Sequence, residues 1–100
     1  MMADEVLLLE AAAIDLFEGK DFYDRQRPRL GIYFFDSLIS DIESLKIYAG
    51  IHSVHFGFHR MLSRRFPFAI YYNLSGSTAE VVAVLDMRRD PAWTKERLTD

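Results

Sequence analysis

Cysteine is absent from this 100-residue chain, so neither a disulfide framework nor a thiolate metal site can form. Proline occurs three times and glycine five, too few for a linker, a low-complexity tract or a turn-rich repeat. Long apolar runs are missing too. The early run Val6–Leu9 is flanked by Asp4, Glu5 and Glu10, whereas a secretory signal needs a basic start and a longer apolar core. No stretch approaches the ~20 apolar residues of a membrane span. These absences predict a cytoplasmic protein with no membrane contact. Half of the residues are hydrophobic, which suits one domain over residues 1–100, able to bury about two-thirds of its unfolded surface.

A strong charge of either sign is lacking as well. The formal net charge is −3 and the pI about 5.5, which argues against a protein built mainly to hold nucleic acid, where electrostatics dominates affinity. Direct nucleic-acid binding is therefore not expected. The charge is uneven, however. Residues 1–50 carry ten acids and five bases, and residues 51–100 five acids and seven bases. The second half has the better claim to an anionic partner.

What is present reads as alternating elements. Val6–Leu9 suggests a short buried strand. From Ala11 to Arg27, Ala13, Leu16, Phe17 and Tyr23 recur at helical spacing with acids between them. Gly19 weakens that helix by about 1 kcal/mol relative to Ala, and Pro28 ends it and fits the first turn of the next. The second helix is marked by the stripe Leu30, Phe34, Leu38, Ile42 and Leu45, widened by Phe35 and Ile39. Asp36, Ser40, Asp41 and Glu43 are read as lying mostly off the stripe, and Tyr48-Ala49-Gly50 as ending the helix. So short a connection predicts an antiparallel helical hairpin whose apolar faces cover one side of a sheet.

The rest of the chain is organised around Arg60–Asp90. Phe66–Leu74 and Glu80–Met87 are rich in β-branched and aromatic residues and flank Ser75-Gly76-Ser77-Thr78, a turn in which Gly76 is free to take positive φ. The pattern predicts a β-hairpin. Arg60–Arg65 is read as a third strand entering it through Phe66-Pro67, since Pro67 cannot donate to a ladder and belongs at a strand start. Antiparallel pairing would bring Arg64-Arg65 and Arg88-Arg89 to one end of the sheet, with Asp86 and Asp90 placed to hold guanidiniums in bidentate pairs. Asp90-Pro91 has the form of a helix start, so Trp93 begins a short C-terminal helix or tail. Trp93 either covers an edge of the sheet or anchors a partner.

His52, His55 and His59 invite a metal reading, but the glycines and aromatics between them argue for loop and strand. In a strand His55 and His59 share a face and His52 points away. No acid or cysteine lies nearby to complete a first shell. No metal and no other cofactor is expected.

The segments L-L-L-E-A-A-A-I-D-L, D-F-Y-D-R-Q-R-P-R-L-G, F-F-D-S-L, R-R-F-P-F-A-I-Y-Y and V-V-A-V-L-D-M-R-R-D-P, in that order, resemble the RelE/ParE toxin superfamily. Their likeness is to its ParE branch, the plasmid stabilisation system proteins, and it covers roughly Val6–Trp93. The resemblance implies an α+β fold of order β-α-α-β-β-β, with a helical hairpin packed on an antiparallel sheet. It implies the toxin of a type II toxin–antitoxin pair, with a cognate antitoxin as partner.

Two targets follow from the resemblance. RelE-type members cleave mRNA on the ribosome, which needs a base, an acid and cations for the phosphorane. The resemblance places a basic residue in the middle strand, where this chain has Phe68, and a Tyr or His near the C-terminus, where it has only Trp93 after Arg89. No catalytic residue is assigned. ParE-type members are described as poisons of DNA gyrase acting by binding, and here Arg88, Arg89, Trp93, Arg64 and Arg65 are the candidate target-binding residues. Arg88 and Arg89 are expected to matter more, because they lead into the Asp90–Trp93 segment, read as the least packed part of the chain. A degenerate, non-toxic copy of the fold is a third possibility. Phe22, Tyr33, Tyr48 and Phe56 either complete the core or are exposed for the antitoxin.

Overall fold

The computed structural model describes residues 2–99. Strand β1 (Glu5–Leu8) leads into helices α1 (Glu10–Gln26) and α2 (Leu30–Glu43) and a short helix α3 (Leu45–Tyr48). Strands β2 (Val54–His55), β3 (Phe58–Leu62), β4 (Phe68–Ser75) and β5 (Thr78–Asp86) follow, and helix α4 (Pro91–Thr99) closes the chain. The sheet runs β1-β5-β4-β3-β2, antiparallel throughout except for β1 against β5. The predicted α+β architecture, a helical hairpin on a sheet with a C-terminal helix, is the one observed.

The β4–β5 hairpin is the spine. Gly76 takes the expected left-handed conformation, φ 61°, and the strands pair from Ser75↔Thr78 to Phe68↔Asp86. The register shifts once: Tyr71 faces Ala83, Tyr72 faces Val81, and Val82 is left without a partner. One extra residue reverses the alternation of every side chain beyond it. Val81 and Val84 therefore share the face carrying Phe68, Ile70 and Tyr72, while Ala83 and Leu85 join Ala69 and Tyr71 on the other.

The first face is covered by the hairpin, through Leu16 and Tyr23 of α1 and Phe34, Leu38 and Ile42 of α2. Two glycines let the helices approach. A Cβ on Gly19 would collide with the Phe34 ring, and one on Gly31 with the Lys20 carbonyl oxygen and the Asp24 carboxylate. Gly19 thus trades local helix stability for close packing.

Several sequence expectations need correction. β1 is an exposed edge strand, with Leu7, Leu8 and Leu9 all exposed, because among the described residues nothing pairs with its outer side and the helices lie over the sheet's middle. The second helix breaks at Ser44, whose hydroxyl bonds the Asp41 carbonyl at 2.6 Å and competes with the helical ladder. The third strand is Phe58–Leu62 rather than Arg60–Arg65. Ser63–Pro67 forms the turn, and β2 adds a small hairpin through Phe56-Gly57, both at positive φ. Asp41 is buried on the apolar stripe, accepting from the Ser63 hydroxyl at 2.8 Å and the Arg64 N–H at 3.3 Å.

Two substitutions test this packing. Leu38 is fully buried, so Leu38→Ala should cost roughly 2–5 kcal/mol in a denaturant titration. Gly31→Ala should also destabilise, although helix propensity alone predicts a gain of about 1 kcal/mol. A raised midpoint for Gly31→Ala would show that the α1–α2 contact is looser than described.

Candidate functional site

The Phe68↔Asp86 pairing, extended by the Met87 N–H bond to the Pro67 carbonyl at 2.8 Å, puts the start of β4 beside the end of β5. Both arginine pairs reach that end, but they are held differently. Arg88 donates through Nε and Nη2 to the two Asp86 carboxylate oxygens at 3.0 and 2.7 Å, and Nη2 also reaches the Tyr23 hydroxyl at 3.3 Å. This bond is the main reason that the Asp86 carboxyl sits below its ordinary pKa and the Arg88 guanidinium above its own. Asp90 accepts instead from the Ala92 N–H at 2.8 Å, capping α4.

Arg89 has no carboxylate within ion-pair distance among the described residues. Its guanidinium lies 3.9 Å from the Trp93 ring centroid, a cation–π contact. Arg64 and Arg65 are exposed in the β3–β4 turn. Asp41 and Ser63 anchor the backbone there, and both arginine side chains are left exposed.

Asp90, Pro91 and Ala92 are exposed, as expected of that segment, but the helix they open is packed against the sheet. In α4, Leu98 is buried against Ala69, Tyr71, Ala83 and Leu85, and Trp93 packs beside them with Phe58 and Val82. The sheet's second face is apolar and needs a cover. The helix also turns the corner of the sheet. β1 pairs with β5 only as far as Val81, leaving the rest of that edge without a strand. There the buried Asp15 of α1 accepts from the Val84 N–H at 3.0 Å and from Arg97 Nη2 at 3.0 Å. A groove of about 330 Å³ opens at this edge, lined among others by Asp15, Phe22, Phe68, Arg89, Trp93 and Arg97.

Sequence reasoning missed Asp15 and Arg97. A signal existed: Asp15 falls at helical spacing with Ala12, Leu16, Gly19 and Tyr23, so a carboxylate stood on the buried stripe.

The histidines do not divide as a simple strand would divide them. His52 and His59 converge on Tyr72, which is fully buried. His52 Nδ1 bonds the Tyr72 hydroxyl, and the His59 ring stacks on the Tyr72 ring at 5.0 Å. The same hydroxyl accepts from the Gly50 N–H at 2.9 Å, and His59 Nδ1 bonds the His52 carbonyl at 2.7 Å. His55 is apart, bonded to the Ser53 hydroxyl. Among the described residues no group of three His, Cys, Asp or Glu could hold a metal ion. Burial, then the neighbouring His59, pushes the His52 pKa down, and burial pushes that of Tyr72 up.

All four candidate partner-binding aromatics are exposed: Phe22 at 42%, Tyr33 at 51%, Tyr48 at 51% and Phe56 at 43%. They form two groups. Phe22 and Tyr33 flank the junction of Tyr23 and Phe66, with Phe22 facing the groove. Tyr48 and Phe56 lie with exposed Ile47, Ile51 and Val54 in the α3–β2 region.

No protein-family model matches the sequence, and no curated protein matches it. A search of solved structures finds a chain of the chromosomal ParDE TA system from P. aeruginosa. It is 19% identical, covers 83% of this chain and 94% of its own length, and superposes with a TM-score of 0.74. The chain described here therefore has the ParE-like fold that the sequence resemblance implied. Among the described residues no helix is long and apolar enough to cross a membrane.

The His52 site makes a signed prediction about pH. A depressed folded pKa means that the unfolded chain binds the proton first, so stability falls as pH drops below about 6.5. His52→Gln should flatten that decline between about pH 7 and pH 5. Equal slopes for the two proteins in denaturant titrations would exclude His52 as the group responsible.

Proposed function

We propose that this chain is the toxin of a type II toxin–antitoxin pair, acting by binding and inhibiting DNA gyrase and neutralised by a cognate antitoxin. The observation that carries the reading is the fold likeness to a chain of a ParDE system over most of both lengths. The named target adds nothing to that likeness by itself; a surface does. The arginine end offers Arg89 over Trp93 and the exposed pair Arg64-Arg65 to a partner, and Trp and Arg are the residue types that dominate interface energetics. The two groups of exposed aromatics supply apolar area for an antitoxin that wraps the toxin.

A binding role fits the residues better than ribonuclease chemistry. The middle-strand position is Phe68, buried in the aromatic core. His52 and His59 cluster around Tyr72, four residues further along β4, away from the arginine end. Charge stabilisation without a positioned acid and base leaves the 2′-hydroxyl unactivated.

Within the proposed surface the two adjacent arginines should separate. Arg89→Ala should relieve growth inhibition with little change in melting temperature. Arg88→Ala removes an Asp86 partner and a Tyr23 contact, and should lower stability by about 0.2–1 kcal/mol, as expected of a largely exposed pair. Purified protein should inhibit gyrase supercoiling and leave translated messages uncut in primer extension. Codon-positioned cuts would establish the ribonuclease instead, and a chain that inhibits neither growth nor gyrase would be a non-toxic copy of the fold.

A further inference from the structure

The charge of this protein is acidic in sum but not in space. Tyr23, in the last turns of α1, packs its ring 5.0 Å from Phe66, and Tyr33, one turn into α2, packs 5.4 Å from the same ring. Phe66 follows Arg65 directly. The α1–α2 connection, with Arg27 and Arg29, therefore borders the turn that carries Arg64 and Arg65. Two segments distant in sequence deliver four arginines to one end, and all four are exposed. None of them has an acidic partner within 4.0 Å among the described residues, where the ion pairs are Lys20–Asp24, Arg88–Asp86 and Arg97–Asp15.

The neighbouring acids are largely engaged. Asp24 is held by Lys20 at 3.0 Å and by the Gly31 N–H at 2.9 Å, Asp41 by Ser63 and the Arg64 N–H, and Asp86 by Arg88. Asp21 and Asp36 are exposed on the helices. More distant acids are screened beyond about 10 Å at 0.1 M salt.

Arg29 occupies the left-handed region, φ 74° and ψ −6°, as the third residue of a type II turn, Arg27-Pro28-Arg29-Leu30, closed by the Leu30 N–H to the Arg27 carbonyl at 3.1 Å. Glycine is the unstrained choice there, so Arg29→Gly removes the charge while leaving the turn intact.

We propose that Arg27, Arg29, Arg64 and Arg65 form a docking surface for the phosphodiester backbone of duplex DNA. Guanidiniums present planar donors matched to phosphate oxygens, and a patch that supplies only such contacts positions a duplex without reading its sequence. Composition alone argues against nucleic-acid binding; the spatial gathering of unpaired arginines argues for it at this end. The proposal stands whether or not gyrase is the target.

The test is fluorescence anisotropy of a labelled duplex of about 20 bp with the full chain. Four phosphate contacts predict affinity that falls about 10²-fold between about 50 and 200 mM salt. Arg29→Gly combined with Arg65→Gln should weaken binding and reduce that loss to about tenfold. Arg29→Gly alone should leave the melting temperature no lower, so a binding defect cannot be laid to unfolding. Lys46→Gln with Lys95→Gln, an equal loss of charge on α3 and α4, should bind like the parent chain. The proposal is overturned by no binding at the lower salt, by equal weakening in the lysine pair, or by tighter binding of single-stranded RNA than of the duplex.

Discussion

The aromatic junction around Tyr23 is the contact on which the other parts depend. Its ring meets Phe34 at 5.1 Å, Phe66 at 5.0 Å and Phe68 at 6.3 Å, while Phe34 meets Phe66 at 5.1 Å and Phe68 at 4.8 Å. Four segments are thereby joined: both long helices, the β3–β4 turn and the start of β4. Such pairs contribute about 0.5–1.5 kcal/mol each beyond the area they bury. The Tyr23 hydroxyl then leaves the core to meet Arg88. One side chain thus links the packing of the hairpin to the geometry of the basic end.

A second constraint comes from carboxylates placed where the backbone would otherwise go unpaired. Asp15 serves the Val84 N–H where β1 has ended, Asp24 serves the Gly31 N–H at the start of α2, and Asp41 serves the turn at Ser63-Arg64. Leaving the buried Val84 N–H unsatisfied would cost about 1–3 kcal/mol; the bonds to Gly31 and Arg64 are part-buried and fix their joints at lower stakes. Asp15 carries a further dependency. Its side chain is 6% exposed and its charged partner is Arg97 of α4, so undocking the terminal helix would leave a buried carboxylate without its countercharge. The C-terminal helix is therefore coupled to the first helix across the edge of the sheet, not merely laid upon an apolar face.

The sequence made the main elements legible because their signals are local. The stripe from Leu30 to Leu45 has helical period, and the Phe66–Met87 rows flank a turn that glycine identifies. What it hid is non-local or ambiguous in period. The bulge at Val82 leaves no mark in a run of Val, Ala and Leu, since every residue there suits either face. The break at Ser44 turns on one hydroxyl choosing its own backbone. Asp41 was read as solvent-facing because its charge outweighed its spacing, and the same habit hid Asp15. The pairs Arg64-Arg65 and Arg88-Arg89 were visible in the sequence, but not that Arg88 is bound to Asp86 while Arg89 stacks on Trp93. Arg27 and Arg29 were invisible as part of that end, because the Tyr33–Phe66 contact that brings them there spans 33 positions of chain.

That separation bears on how a small acidic protein can address a polyanion at all. Net charge governs long-range behaviour, and at −3 it gives no general attraction to nucleic acid. Contact chemistry is governed by what lies within a screening length, about 8–10 Å near physiological salt. Inside that radius an acid that is already hydrogen-bonded to backbone or lysine competes poorly for an arginine, because leaving its partners has a cost of its own. Two of the carboxylates that brace the joints of this fold are paired with other cations, Asp24 with Lys20 and Asp86 with Arg88. Among the described residues, then, the guanidiniums of Arg27, Arg29, Arg64 and Arg65 keep no acidic partner within ion-pair distance, although Asp41 lies beside the Arg64 backbone.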